Sequence, residues 1–297
     1  MKEIDLAILG AKGLVGSQSS KHLEDFGVGV ISADIEEVDI TKHKDLDRWM
    51  KDSPAPVIVN FVAFTDVDGA EKEKGKEDDS AIMLNVEGAR LVAQAAKKNK
   101  KFLIYISTDM VFPTNKAPGP YSEDVQPQIG DGAIGWYAKT KLMGERAVAG
   151  VGGRYALIRI SYPFGNPDNE KDFFLKTRKY IESGIPLFAD QQFTPTYILD
   201  LANAIVEIVS RQKEGVFHVA THPPTTPYEF GNYLAEKLKL EKEAKKGSLD
   251  DFIKQGGKAP RAKDGGLSTQ LTQDRLGIEF RSWQEAIDDF IQKLNRA

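Results

Sequence analysis

Cysteine is absent from the 297 residues. That removes disulfides, thiolate metal ligands and cysteine nucleophiles, and it fits a reducing compartment. No apolar run approaches the length of a bilayer span, so the membrane is not expected as a partner. The opening MKEIDLAILG passes from charge straight into a short apolar run and a glycine, without the core and cleavage site of a secretory signal. A cytoplasmic location is therefore expected. An excess of one charge is also lacking: 40 Lys and Arg stand against 44 Asp and Glu, a net charge of -4, which gives no general attraction to nucleic acid. Internal repeats are missing too. What remains is ordinary globular material, 41% hydrophobic and 28% charged, long enough for one large domain or two unequal ones.

Short apolar runs alternate with helical patterns. IDLAILG, VGVISAD, PVIVNFVAF, KFLIYISTD and YALIRISYP are each near strand length and carry little charge, as strands buried on both faces do. GSQSSKHLEDFG and NVEGARLVAQAAKKNK lie between them with apolar residues at helical spacing. This order predicts an α/β fold, a Rossmann-type doubly wound parallel sheet with right-handed crossovers. Beyond about residue 160 the alternation breaks down, apart from the amphipathic YILDLANAIVEIVSRQ. We read a dinucleotide-binding domain over 1–160 plus about 190–213, and a smaller, discontinuous α/β substrate domain over about 161–189 plus 214–297.

The first apolar run ends in ILGAKGLVG, which places Gly10, Gly13 and Gly16 between a predicted strand and a predicted helix. Glycines there allow a tight turn and a close approach to a pyrophosphate, whose charge the helix N-terminus stabilises. The spacing differs from the commoner Gly-x-Gly-x-x-Gly fingerprint. Gly10, Lys12, Gly13, Leu14, Val15 and Gly16 are the candidate cofactor contacts. Asp34, at the end of the second run, suits an adenosine ribose and disfavours a 2'-phosphate, whereas Lys12 attracts one. NAD(H) and NADP(H) both stay open. Ala63, Phe64 and Thr65 follow the third run at the carboxyl edge that faces the ligand crevice.

The fourth run ends on Ser107 and Thr108, whose hydroxyls can donate to a carbonyl oxygen as negative charge builds on it. Helix-capping chemistry is the competing reading of such a strand end. About 30 residues on, GWYAKTKLMGE sets Tyr137 and Lys141 four apart, neighbours on one helical face. A tyrosine with a pKa near 10 is a poor acid at neutral pH, and an adjacent ammonium lowers it. The pair reads as a tuned general acid.

With these motifs the chain resembles the extended short-chain dehydrogenase/reductase superfamily, in its dTDP-4-dehydrorhamnose reductase-like branch. GAKGLVG, PVIVNFVAFTDVDGAE, LNVEGARLVAQAA, ISTDMVFP, PYSEDVQPQ, YAKTKLMGE, DQQFTPTYILDLANAI, GVFHVA and APRAKDGGLST carry the likeness along nearly the whole chain. The resemblance implies NAD(P)H-dependent reduction of the C4 ketone of a nucleotide-linked 6-deoxy sugar. Tyr137 would protonate the alkoxide, Lys141 would lower the tyrosine's pKa and hold the nicotinamide ribose, and Thr108 or Ser107 would bind the carbonyl. Val111, Phe112, Arg159, Tyr162, Gln192 and Arg261 are implied to line the nucleotide-sugar site.

Three departures stand out. Gln18 occupies the position where some relatives use a glutamate to bind magnesium, so no metal is expected. The loop GDGAIGWY is longer than usual, and Pro163 in SYPFGNP alters the expected lip of the substrate site. A nucleotide-sugar epimerase or dehydratase shares the scaffold. So does a non-catalytic binding subunit such as the regulatory subunit of methionine adenosyltransferase. The chain is expected to be a monomer or a homodimer.

Overall fold

The computed structural model describes residues 5–76, 78–113, 118–129, 134–256 and 259–296. Six strands form one parallel sheet: β1 (Asp5–Leu9), β2 (Gly29–Ala33), β3 (Val57–Asn60), β4 (Phe102–Thr108), β5 (Tyr155–Ile160) and, after a short β6 (Leu187–Phe188) elsewhere, β7 (Gly215–His218). Their order is β2-β1-β3-β4-β5-β7. β3 and β4 are buried from end to end, which is why their sequences are almost uninterrupted by charge.

Successive side chains of a strand face opposite ways, and the sheet has a core on each face. On one, Leu6, Ile8, Val59, Ile104 and Ile158 pack against α1 (Leu14–Asp25). On the other, Ala7, Leu9, Ile58, Leu103 and Leu157 meet α2 (His43–Asp52). Next come α3 (Val67–Glu73) and α4 (Ser80–Ile82), the latter running through a π-helical turn, Met83–Gly88, into α5 (Ala89–Lys98). α6 (Trp136–Val151) follows and carries the tyrosine and lysine of the sequence motif.

A second core is aromatic. Phe164, Phe193 and Tyr197 gather α7 (Phe173–Ser183) against later helices, with the rings of Phe164 and Tyr197 stacked at 5.2 Å. α8 (Ile198–Ser210) leaves that core to cover the sheet through Leu201, Ile205 and Ile208. α9 (Pro227–Leu238) returns to it with Phe230, and β8 (Lys246–Gly247) pairs with β6. α10 (Leu249–Lys254), α11 (Gln270–Leu276) and α12 (Trp283–Leu294) complete the chain. The boundary read at 213/214 falls just before β7, which hydrogen-bonds to β5; Leu276 and Phe280 also join the core beside α8. These stretches pack with the large sheet because a free edge at β5 would leave its ladder unpaired. Among the described residues, no helix is long and apolar enough to cross a membrane.

Candidate active site

The order in which strands are added reverses at β1: β2 lies on one side of it and β3 on the other, all parallel. Such a switch point opens a crevice at the carboxyl ends of the strands. Gly10 turns there with φ +80°, and a Cβ on it would lie 3.0 Å from Val62 N. A Cβ on Gly16 would lie 2.2 Å from Gly10 O, so only hydrogen lets α1 settle this close to the loop. Gly13 precedes Leu14 and Val15 without offering the first turn of α1 a side-chain acceptor. That turn is a fitting cradle for a pyrophosphate.

Asp34 closes β2 and folds back on the loop: Oδ2 accepts from Lys12 N at 2.8 Å and Oδ1 from Ile35 N at 2.8 Å. The Lys12 ammonium lies 2.9 Å from Glu36 on the exposed rim. Across the crevice the segment Ala63, Phe64 and Thr65 is fixed by a residue without any local sequence signal. Asn85, in the π-turn, accepts from Phe64 N at 2.9 Å and donates to Phe64 O at 3.3 Å and to Thr140 Oγ1 at 2.9 Å. π-turns of this kind recur at functional sites. From the other side, Asn166 Nδ2 donates to Leu14 O at 2.8 Å and Ser17 Oγ at 2.9 Å, tying the loop after β5 to the start of α1.

Ser107 and Thr108 end β4 with side chains on opposite faces. Ser107 Oγ donates to buried Glu145 at 2.6 Å and is thereby turned away from the cleft. Thr108 Oγ1 accepts from Met110 N at 3.2 Å and donates to Asp109 Oδ1 at 3.2 Å, and it lies close enough to Tyr137 to favour the phenolate. Tyr137, in the first turn of α6, is 8% exposed. Burial pushes its phenol above the usual range, the Asp109 charge adds to this, and the Thr108 hydroxyl acts the other way. Lys141 follows one turn deeper, donating to Ile106 O at 2.8 Å and Tyr105 OH at 3.0 Å. Burial lowers its pKa to about 7, against the nearby Glu145 carboxylate, which raises it. The expected depression of the tyrosine by the lysine is thus not the dominant effect here. Loss of hydration outweighs it at both groups, and the ammonium spends two bonds on acceptors toward the sheet.

Next to Thr108 and Tyr137 lies a cleft of about 440 Å³ whose lining includes Asp109, Phe112, Tyr162, Gln191, Gln192 and Arg261. Four of the six residues expected there are present. Val111 is instead fully buried beneath it. Arg159 is absent from the cleft because Glu145 claims it, with Nη2 at 2.8 Å from Oε2, while its guanidinium stacks 5.0 Å from the Phe112 ring. Arg261 reaches the cleft while paired with Asp68 of α3 at 3.1 Å. Tyr162 has a positive φ of 40°, a strained conformation for a bulky residue that precedes Pro163.

Gln191 is the lining residue that sequence reasoning passed over in favour of its neighbour. Its Nε2 donates to Tyr162 OH at 3.1 Å and Ala262 O at 3.3 Å, and its buried Oε1 has no partner among the described residues. Gln18 is buried and hydrogen-bonds His22 at 3.1 Å, and among the described residues no group of three or more His, Asp and Glu could hold a metal. The loop residues 130–133 lie outside those described.

The model of the RmlD substrate binding domain family matches residues 4–296. The chain is 30% identical to a dTDP-4-dehydrorhamnose reductase of Aggregatibacter actinomycetemcomitans over 95% of this chain and 96% of the relative. It is 28% identical to a spore coat polysaccharide biosynthesis protein of Bacillus subtilis over 98% of both chains. A dTDP-4-dehydrorhamnose reductase of Bacillus anthracis, solved in complex with NADP, superposes with a TM-score of 0.87 at 27% identity, covering 98% of this chain and 99% of the other. The chain belongs to the RmlD substrate binding domain family.

Proposed function

We infer that the protein is a nicotinamide-dependent reductase acting on the C4 ketone of a nucleotide-linked 4-keto-6-deoxy sugar, dTDP-4-dehydrorhamnose, as its named relatives are. The observation that carries this is the meeting of three groups at one edge of the cleft. Tyr137 lies beside Thr108 there, with Lys141 on the same face of α6 behind them.

When bound, a reduced nicotinamide would supply a hydride to the ketone carbon. Gly10, Gly13 and Gly16, with the first turn of α1, would hold the pyrophosphate, and Ala63 to Thr65 would run along the dinucleotide. Tyr137, kept as a phenol by burial, is in the form needed to protonate the oxygen that becomes an alkoxide. Thr108 would bind that oxygen, and Lys141 would hold the ribose from its buried seat. Ser107 supports α6 through Glu145 rather than touching the sugar. Phe112, Tyr162, Gln192 and Arg261 would line the sugar and nucleotide.

The test follows oxidation of NADH and NADPH at the nicotinamide absorbance with enzymatically generated dTDP-4-keto-6-deoxy-L-mannose. Turnover that falls by about three orders of magnitude in Tyr137→Phe is expected for loss of the proton donor. Dinucleotide binding without turnover would overturn the reading in favour of a binding subunit.

A further inference from the structure

Asp109 is a half-buried carboxyl in the wall of the cleft to which the reaction as described assigns no task. Its surroundings fix where each proton sits. Ser161 Oγ donates to Oδ2 at 2.7 Å, and Thr108 Oγ1 lies 3.2 Å from Oδ1. The other groups that face it are Tyr137 from α6, Tyr162 after β5 and, across the cleft beyond Tyr162, Arg261. Lys141 is turned to Ile106 O and Tyr105.

A threonine hydroxyl has one proton to give and two lone pairs to receive. Met110 N–H takes one lone pair of Thr108 at 3.2 Å. With Asp109 ionised, the carboxylate can only accept, so the Thr108 proton points at Oδ1. The proton that Thr108 could offer a ketone oxygen is then turned away from it. A proton on Oδ1 reverses the chain, because Asp109 then donates to Thr108 and fills its second lone pair. The Thr108 hydroxyl is released toward the cleft, beside the Tyr137 phenol. Ser161 keeps Oδ2 as an acceptor throughout, which selects Oδ1 as the protonated oxygen.

We propose that Asp109 is a positioning residue whose carboxyl, by holding or lacking a proton on Oδ1, decides whether Thr108 presents its proton to the carboxylate or to the substrate ketone. The proposal rests on the reductase reading above. Burial already pushes this carboxyl up to about 6, and a sugar ring that displaces water from the cleft strengthens the same effect. Substrate binding and uptake of one proton from solution are therefore linked.

Asp109→Asn is the informative variant, since an amide can keep its oxygen on Ser161 and donate from nitrogen to Thr108, copying the protonated carboxyl. In wild type, kcat is expected to fall about tenfold per pH unit above the range in which the bound-state carboxyl titrates. In Asp109→Asn that limb should disappear, with kcat at pH 8.5 equal to or above wild type. An unchanged limb, or a folded variant inactive at every pH, overturns the proposal.

A second measurement needs neither turnover nor the variant. Binding of the product dTDP-L-rhamnose to the wild-type protein at pH 7.5, followed by calorimetry in buffers of different ionisation enthalpy, should take up close to one proton. No uptake overturns the proposal even where turnover is normal. Absence of turnover with NADH and NADPH bears instead on the reductase reading.

Discussion

Glu145 and Arg159 face each other inside the protein, Arg159 Nε 3.1 Å from Oε1 and Nη2 2.8 Å from Oε2, with side chains 6% and 4% exposed. The pair joins α6 to β5, and Ser107 adds the end of β4. Breaking it strands a buried charge, so Glu145→Ala should lower the unfolding free energy by about 3–5 kcal/mol. A urea titration measures this. The double variant Glu145→Leu/Arg159→Met should recover most of the loss, and a loss equal to the sum of the single changes would contradict the pairing.

Gly16→Ala tests the cradle. Its methyl group would meet Gly10 O at 2.2 Å, and backbone on both sides leaves little room to yield. We expect a cost of about 1–3 kcal/mol in stability. Dinucleotide affinity should weaken by at least tenfold in a fluorescence titration. Gly150→Ala, where a Cβ meets nothing within 4 Å, should leave both unchanged.

Lys12 and Glu36 on the exposed rim offer a test of coenzyme preference. Glu36 lies 2.9 Å from the Lys12 ammonium, and Asp34 adds a further negative charge beside Lys12 N. Glu36→Gln should free Lys12 for a 2'-phosphate and move the ratio of kcat/KM for NADPH over NADH upward several-fold. The shift should shrink in 0.5 M salt as screening grows. A ratio unchanged at low salt would remove Glu36 from the account.

Beside the cleft, Gln191 offers a buried acceptor with no partner among the described residues, and a sugar hydroxyl is a donor that would satisfy it. Replacing it by leucine should raise KM for the sugar about tenfold, the worth of one hydrogen bond, with kcat within a factor of two. A fall in kcat at unchanged KM would place the side chain at the reacting atoms instead.

His22 supplies a pH test of stability. Burial, with Lys293 nearby, depresses its pKa from 6.5 to about 4, so the unfolded chain binds a proton that the folded one refuses between those values. The native state therefore loses about 1.4 kcal/mol per pH unit from this group as pH falls through that window, and nothing further below it. His22→Gln should remove the loss: the stability of the variant relative to wild type should grow from pH 6.5 to pH 4 and then level off.

Much of this was legible in residues close together in the chain. The apolar runs located five strands because a sheet covered on both faces tolerates little charge, and the glycines marked the first turn because a Cβ at Gly10 or Gly16 would press on backbone. Tyr137 and Lys141 were legible as a helical pair. The direction of Lys141 was not, since it depends on Ile106 O and Tyr105 OH in β4, some 35 residues upstream. β7 is only GVFH, too short to register as a run. Arg159 looked like a binding cation because its partner, Glu145, lies on another element. Asn85, Gln191 and Asp109 carry no local pattern, and their roles exist only through atoms brought in from distant segments.

Asn166 grips the carbonyl of Leu14 and the hydroxyl of Ser17, and two residues before the loop glycine at 165 the same segment passes through Pro163 from Tyr162. The phosphate cradle and the wall of the sugar cleft are thus two ends of one lever. A dinucleotide bound at the start of α1 is expected to steady Tyr162 through Asn166, and kinetics should record this as compulsory order, coenzyme first and sugar second, with the oxidised coenzyme last to leave.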